Sequence, residues 1–111
     1  MNGHAWVTGA TGFVGGHVVD RLLREGMAVT CLVRASSVPG RLQDLPVRLV
    51  AADPLAWDDA LRSAGAADLA VHAAGLTRAR AEADYVAANA TATECLVRGM
   101  QAPGLLPRRL V

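Results

Sequence analysis

The chain has 111 residues, of which 52 % are hydrophobic and 19 % charged, so it can bury a core and is not a disordered chain. Its formal net charge is +1 and its arginines are scattered, which argues against a nucleic-acid partner. The most apolar late stretch, 64–76, is too short to span a membrane, and no secretory signal pattern opens the chain. We therefore expect one cytoplasmic domain over residues 1–111, with no nucleic-acid and no membrane partner.

Apolar patterning predicts a strand, a helix and a second strand in the first third of the chain. The run at 4–8 predicts the first strand, and the amphipathic segment 12–25 predicts a helix that ends at Gly26. A nearly continuous apolar run at 28–33 is typical of a strand that is buried on both faces of a parallel sheet. The apolar stripe of the predicted helix comprises Val14, Val18, Val19, Leu22 and Leu23.

Strands and helices continue to alternate in the rest of the chain. After a polar loop, segment 47–51 predicts a third strand, segment 57–64 a short helix and segment 68–73 a fourth strand. Segment 81–101 predicts a long helix, and 108–111 has the pattern of an opening fifth strand. The short connections imply a parallel sheet with right-handed crossovers. The predicted fold class is α/β, the N-terminal half of a Rossmann-type doubly wound parallel sheet (β-α-β-α-β-α), with strand order 3-2-1-4 and a stub of strand five.

Three glycines mark the turn between the first strand and the first helix. Gly9, Gly12 and Gly15 have the spacing G-x-x-G-x-x-G, directly after an apolar run and directly before an amphipathic one. The amides of the first helical turn, at about 12–14, lack intrahelical partners, and the helix dipole makes that end positive. This stretch therefore predicts an anion site for the pyrophosphate of a dinucleotide.

The whole chain resembles the N-terminal part of the extended short-chain dehydrogenase/reductases, the NAD(P)-dependent epimerase/dehydratase group. Residues 8–15 match the T-G-x-x-G-x-x-G motif of that group, and Asp53 matches an acidic residue at the end of strand three. Residues 72–75, H-A-A-G, resemble the segment that follows strand four in the group. Residues 89–91 resemble its N-x-x-T region, with Thr93 as an alternative match for the threonine.

The resemblance implies a cofactor site and a role for several of its residues. Asp53 would contact adenine, His72 and the residues after it would line the cofactor near the nicotinamide ribose, and Asn89 would brace the central strands. Two alternatives remain open, because Asp53 can cap the next helix and His72 can be a hydrogen-bonded core histidine. The implied cofactor-binding residues are Gly9, Thr11, Gly12, Phe13, Val14, Gly15, Arg34, Ser36, Asp53, Pro54, His72, Ala73, Ala74, Gly75 and Asn89.

The end of strand two predicts which dinucleotide binds. A carboxylate there would accept hydrogen bonds from both ribose hydroxyls and repel a 2′-phosphate, which selects NAD. This chain has Arg34 at that position, with Ser36 just beyond it, and a guanidinium suits a phosphate. We therefore expect NADP to be favoured over NAD. The alternative is that Arg34 stacks on the adenine ring, which would leave the preference weak.

The eleven basic residues are all arginine, so the chain has no lysine. The reaction of the resembled group uses a tyrosine and a lysine four residues later, and Tyr85 here is followed at that distance by Asn89. The resemblance thus predicts the NAD(P)-binding portion of an epimerase, dehydratase or reductase, truncated before its catalytic region. Such enzymes act by hydride transfer at a carbinol or carbonyl carbon of a nucleotide sugar or small ketone.

The alternative function is a non-catalytic dinucleotide-binding module or an inactive truncated product. An open edge at strand four predicts self-association, or a missing C-terminal half that would cover it. Cys31 and Cys95 each lie in an apolar setting without the spacing of metal ligands, and we expect both to be buried and no metal to be bound.

Overall fold

The computed structural model describes residues 3–35, 40–75 and 80–111 of the chain. Within them, five parallel strands form one sheet. The strands are β1 (His4–Thr8), β2 (Ala28–Val33), β3 (Arg48–Ala51), β4 (Leu69–His72) and β5 (Arg109–Leu110). Their order across the sheet is β3-β2-β1-β4-β5, which confirms the predicted order and the short fifth strand.

The helices lie where the periodicity places them, with one change of type. The α-helices are α1 (Phe13–Arg24), α2 (Trp57–Ala64), α3 (Glu82–Val86) and α4 (Ala92–Met100), and short 3₁₀ helices span Gly40–Asp44 and Pro54–Ala56. The predicted long helix is present, but its middle, Ala87–Thr91 between α3 and α4, is a π-helix. The residues that join it to α3 and α4 have right-handed helical backbone angles, so α3, the π-helix and α4 form one continuous helix.

Alternation along the strands divides the core between the two faces of the sheet. Trp6 and Leu32 belong to a cluster that includes α2 and α4, whereas Val7 and Cys31 belong to a cluster that includes α1. Neighbouring strand residues thus serve opposite faces, as the period of two requires. The result is a sheet with helices packed on both sides, the arrangement expected for buried parallel strands.

The carboxyl ends of the strands form one edge of the sheet, and α1 begins there. Val19 and Leu22 of α1 are buried, but Val14 is 63 % exposed, so its assignment to the inward stripe is wrong. In this first turn it is Gly15, one residue further on, that is buried against Gly9 and Ala10, and Val14 is exposed beside it. The predicted end of the helix is confirmed, because Gly26 has φ +81° and its N–H donates to Leu23 O at 3.0 Å.

Cys31 and Cys95 are both buried, as predicted. Burial raises the pKa of the Cys31 thiol to about 11, so that thiol stays protonated at neutral pH. In the described part of the chain, no helix is both long and apolar enough to cross a bilayer. The described histidines, cysteines and acidic residues form no cluster that would suit a metal ion.

The strand β5 lies at the end of the sheet and pairs with β4 through only two residues, Arg109 and Leu110. Val111 extends this contact, since its N–H donates to Ala70 O at 2.9 Å and its oxygen accepts from the N–H of His72 at 2.8 Å. Leu110 and Val111 are exposed. Self-association, or coverage of this edge by further chain, stays a prediction.

Candidate functional site

The turn between β1 and α1 is closed by two glycines that no other residue can replace without movement. Gly9 has φ +71°, and a Cβ there would lie 2.6 Å from Ala73 C and Ala74 N. A Cβ at Gly15 would overlap the carbonyl oxygen of Gly9. The end of β1 therefore lies directly against the backbone that leaves β4, and α1 lies directly against the turn. Both close approaches depend on the missing side chains.

Three amides at the start of α1 precede the first intrahelical hydrogen bond. Gly12 is the residue that caps the helix, and its N–H donates to Gly9 O at 3.0 Å, closing the turn. The first intrahelical bond is from Gly16 N–H to Gly12 O at 2.9 Å. The amides of 13–15 thus lie before the first intrahelical bond and outside the bond that closes the turn. The predicted amides, at about 12–14, also lack intrahelical partners, but the turn uses the Gly12 amide, so the donors left at this end are those of 13–15.

A cavity of about 550 Å³ opens at the same edge of the sheet, between the ends of β2 and β3 and the helix that follows β4. It brings together Arg34, Asp53 and Pro54, three of the residues predicted from sequence. Its other lining residues, which sequence analysis did not identify, are Ala35, Leu55, Asp84, Ala87 and Ala88. Nothing in the sequence marked the two alanines, because small residues on a helix carry no distinctive pattern.

Asp53 has a structural role that the structure shows directly. Its Oδ1 accepts a hydrogen bond from the N–H of Leu55 at 2.8 Å, and Asp53 caps the short 3₁₀ helix Pro54–Ala56. This hydrogen bond confirms the alternative in which Asp53 caps the next helix. Asp53 also lines the 550 Å³ cavity, so the cap and a ligand contact are compatible.

A smaller crevice of about 60 Å³ connects the glycine turn with Arg34. Gly9 and Thr11 line it on one side, Arg34 on another, and Ala74 and Trp57 complete it together with Ala10, Leu32 and Val33. The ends of β1, β2 and β4 thus converge on one place. The indole Nε1–H of Trp57 is buried and has no hydrogen-bond partner among the described residues.

His72 uses both ring nitrogens to join β1 to α4. Its Nδ1 is 2.7 Å from the Thr8 hydroxyl, and its Nε2 is 2.8 Å from the Thr93 hydroxyl. The Thr93 hydroxyl donates to Asn89 O at 2.7 Å, so it accepts the proton of His72 Nε2. The Thr8 hydroxyl then donates to Nδ1 and accepts from the N–H of Ala74 at 3.2 Å. This chain of hydrogen bonds requires a neutral imidazole that is protonated on Nε2.

Burial lowers the pKa of His72 below its ordinary value of 6.5, which agrees with a neutral ring. The alternative of a hydrogen-bonded, partly buried histidine is therefore what the structure shows. The Trp57 ring meets the His72 ring edge to face, with centroids 5.7 Å apart at 90°. Thr8, Thr93 and Trp57 are the partners that sequence analysis did not place in the site.

We expect the free energy of unfolding to fall as the pH is lowered through 6.5, because the unfolded chain then binds a proton at His72 that the folded chain resists. The free energy of unfolding stops falling once the pH is below the lowered pKa of His72 in the folded chain. Urea unfolding between pH 8 and pH 5.5 measures it. His72→Asn should make the free energy of unfolding depend less on pH over this range. If the free energy of unfolding of His72→Asn depended on pH just as that of the unsubstituted chain does, the assignment of this pH dependence to His72 would be contradicted.

Of the remaining predicted residues, those that the structure describes lie around the same edge of the sheet. Gly75 lies against Asn89, since a Cβ at Gly75 would be 2.6 Å from Asn89 Oδ1. Phe13, at the start of α1, is 82 % exposed. Ser36 falls outside the described residues. Of the two threonines that could match the N-x-x-T region, Thr93 is the one that contacts His72.

The site has the chemistry that a phosphate-containing dinucleotide requires. The amides of 13–15 offer donors at the positive end of a helix, and the capping residue directly before them, Gly12, has no side chain. Arg34 is exposed and is the only cation among the described residues that line the 550 Å³ cavity. Amides, guanidinium and cavity lie at the carboxyl edge of a parallel sheet, the usual place for such ligands.

Comparison with known proteins agrees with this arrangement. The sequence profile of the NAD dependent epimerase/dehydratase family matches residues 5–107. A putative dihydroflavonol 4-reductase from Synechocystis sp. is 54 % identical over 48 residues, which are 43 % of this chain and 14 % of that protein. A ceramide reductase from Caulobacter vibrioides is 42 % identical over 77 residues, which are 67 % of this chain and 23 % of that protein.

Among solved structures, UDP-glucose 4-epimerase from Bifidobacterium longum in complex with NAD⁺ and UDP is similar with a TM-score of 0.69 and 25 % identity. The similarity covers 87 % of this chain and 33 % of the epimerase chain. The chain therefore spans a third or less of each of these proteins.

Proposed function

Because the chain belongs to the NAD dependent epimerase/dehydratase family, we propose that it binds NADP at the carboxyl edge of its sheet. In this proposal the 111 residues are the dinucleotide-binding portion of an epimerase, dehydratase or reductase. The observation that carries it is the tight turn at Gly9 and Gly15, which precedes the open amides of 13–15 and is joined to Arg34, at the edge of the 550 Å³ cavity, by the crevice that Gly9, Thr11 and Arg34 line.

The binding residues act by position and charge. The amides of 13–15 donate to the diphosphate, and the positive end of α1 favours its negative charge. Thr11, Ala73 and Ala74 lie on either side of the glycine turn, while Asp53 and Pro54 line the cavity proposed for the adenosine end. His72, Gly75 and Asn89 bound the opposite end, proposed for the nicotinamide ribose.

The preference for NADP rests on Arg34. The guanidinium lies at the end of β2 and lines the cavity, where it can donate two hydrogen bonds to a phosphate at once. Asp53 and Asp84 line the same cavity and oppose an added negative charge. Asp53 Oδ1 is engaged with the N–H of Leu55, which partly offsets its charge. Arg34 is therefore the group on which selection between the two dinucleotides depends.

A bound nicotinamide would supply hydride transfer at a carbinol or carbonyl carbon. We favour a carbonyl substrate of the reductase type over a nucleotide sugar, because Arg34 suits NADP and two relatives are named as reductases. These residues do not contain a tyrosine followed four positions later by a lysine, since the chain has no lysine. Binding without turnover is accordingly the activity proposed for the 111 residues alone.

A second candidate, a dinucleotide-binding module with no catalytic role, is favoured by the same absence of lysine. Turnover separates the two for any longer chain that contains these residues. An enzyme reduces a carbonyl compound with NADPH, whereas a binding module does not.

Calorimetric titration of the chain with NADP⁺ and NAD⁺ tests the proposed function. We expect saturable binding of both, with NADP⁺ the tighter, and no oxidation of NADPH in the presence of carbonyl compounds. Absence of binding by folded chain would overturn the site. Equal affinities would overturn the preference for NADP and favour stacking of Arg34 on adenine.

A further inference from the structure

The π-helical stretch Ala87–Thr91 is accompanied by hydrogen bonds from two polar side chains of the same helix to its backbone. Asn89 Nδ2 donates to Tyr85 O at 3.0 Å, and the Thr93 hydroxyl donates to Asn89 O at 2.7 Å. In an α-helix each of these carbonyls would accept from the N–H of the residue four positions later. Here each of these carbonyls accepts a side-chain hydrogen bond, and the N–H of Ala92 donates to Ala87 O, five positions back. The π-helix thus coincides with two side-chain hydrogen bonds that this sequence supplies.

This stretch lines the proposed dinucleotide cavity. Ala87 and Ala88 contribute to the lining opposite Arg34 and Asp53. Asn89, the next residue, lies against the backbone at Gly75. The distance between the stretch and the strand ends thus sets both the width of the cavity and the contact at Gly75.

His72 joins the helix that contains this stretch to β1 through Thr93. The imidazole spans from the Thr8 hydroxyl on β1 to the Thr93 hydroxyl on α4, and Thr93 in turn bonds to the π-helical carbonyl of Asn89. Every donor in this series of hydrogen bonds has an acceptor, so only one assignment of donors and acceptors from Thr8 through His72 to Thr93 is possible. The ring is half-buried and packs edge to face against Trp57, which limits other orientations.

We propose that His72 is a positioning residue for the dinucleotide cavity, which acts through Thr93 to keep the π-helical stretch Ala87–Thr91 at a fixed distance from the ends of β1 and β4. This inference rests on the proposed function for the identity of the ligand, but the tie between His72 and the stretch can be measured without any ligand.

Two pairs of variants distinguish loss of the hydrogen bond between His72 and Thr93 from a general loss of stability. Thr93→Val keeps the shape and removes the hydroxyl, whereas Thr93→Ser restores a hydroxyl. His72→Asn places a polar atom near the Nδ1 position and cannot reach Thr93, whereas His72→Gln places one near Nε2 and can. Thr91→Val, in the same stretch but without a contact to His72, is the matched control.

The first readout is amide hydrogen exchange of the unliganded 111-residue chain. Loss of one hydrogen bond shifts a local opening equilibrium roughly five- to tenfold, so Thr93→Val and His72→Asn should raise exchange at 87–93 by about that factor. Amides of α1 and β2 should keep their rates, and Thr93→Ser, His72→Gln and Thr91→Val should stay close to the unsubstituted chain. Unchanged exchange at 87–93, or a rise spread evenly over the whole chain, would overturn the proposal.

The second readout is the affinity for NADP⁺ by calorimetry, which should weaken roughly fivefold in Thr93→Val and His72→Asn and recover in Thr93→Ser and His72→Gln. Affinities that stay the same while exchange at 87–93 rises would overturn the role of the stretch in the cavity. If the unsubstituted chain binds neither NADP⁺ nor NAD⁺, the proposed function fails, and the exchange data still decide whether His72 positions the stretch.

Discussion

Gly15→Ala is expected to weaken dinucleotide binding at least tenfold and to lower the free energy of unfolding by about 1–3 kcal/mol. The added Cβ would overlap the carbonyl oxygen of Gly9, so either α1 or the turn has to move. Gly9 cannot yield easily, because its own backbone lies against Ala73 and Ala74. Movement of α1 displaces the amides of 13–15 from the site. Calorimetry with NADP⁺ and urea unfolding measure the two effects.

Gly16→Ala is the matched control, one residue further along the same helix. A Cβ at Gly16 would lie 3.6 Å from Ala10 O, an ordinary contact, and alanine is the better helix former. This variant should be more stable by roughly 0.5–1 kcal/mol and should bind NADP⁺ as the unsubstituted chain does. If both variants behave alike, the close approach of α1 to the turn is not what shapes the site.

Arg34→Ala is expected to weaken NADP⁺ binding roughly ten- to a hundredfold and to leave NAD⁺ binding within about twofold. The expected size reflects the loss of charge-assisted hydrogen bonds to the 2′-phosphate, a group that NAD⁺ lacks. The remaining carboxylates in the cavity, Asp53 and Asp84, would then face that phosphate without a cation beside them. Calorimetric titration with both dinucleotides gives the ratio directly.

Arg48→Ala controls for the loss of one positive charge. Arg48 begins β3 and is exposed, at the opposite edge of the sheet from the cavity. Its removal changes the net charge equally but should alter the affinity for either dinucleotide by less than about twofold, since screening weakens distant surface charges. A similar loss of both dinucleotides in Arg34→Ala would instead indicate that the guanidinium contacts a part common to NAD and NADP.

Much of the fold was predictable because its signals are local. The apolar runs that became β1 and β2 need burial on both sides, and the stripe around Val19 and Leu22 needs a sheet to cover it. The glycine at position 26 ends its helix in the left-handed conformation that only glycine adopts readily. Each of these properties belongs to a few consecutive residues, so the sequence alone shows it.

The parts of the site that sequence analysis missed depend on contacts between distant residues. His72 and Thr8 are 64 positions apart, and His72 and Thr93 are 21 apart, so no local pattern shows that they meet. The π-helix coincides with side-chain hydrogen bonds of Asn89 and Thr93, whose four-residue spacing is visible in the sequence. Four-residue spacing is equally compatible with a plain α-helix, so the sequence did not predict the π-helix.

Two details at the start of α1 differ from the prediction. Periodicity placed Val14 on the inward stripe, and the predicted start of the helix placed the open amides at about 12–14, but neither pattern shows how the turn before the helix is closed. The structure shows that the turn uses the Gly12 amide and that Val14 is exposed. The bond that closes the turn depends on the backbone conformation at Gly9, which periodicity does not show.

The all-parallel pairing of the sheet also bears on how the chain folds. No two neighbouring strands are joined by a hairpin, and β1, in the centre, pairs with β4 across most of the chain. Pairing any two of these strands closes a long loop and therefore costs conformational entropy, whereas α1 and α4 form through contacts between residues close in sequence. We therefore expect helical structure to precede the sheet in time, with the central β1–β4 pairing forming late.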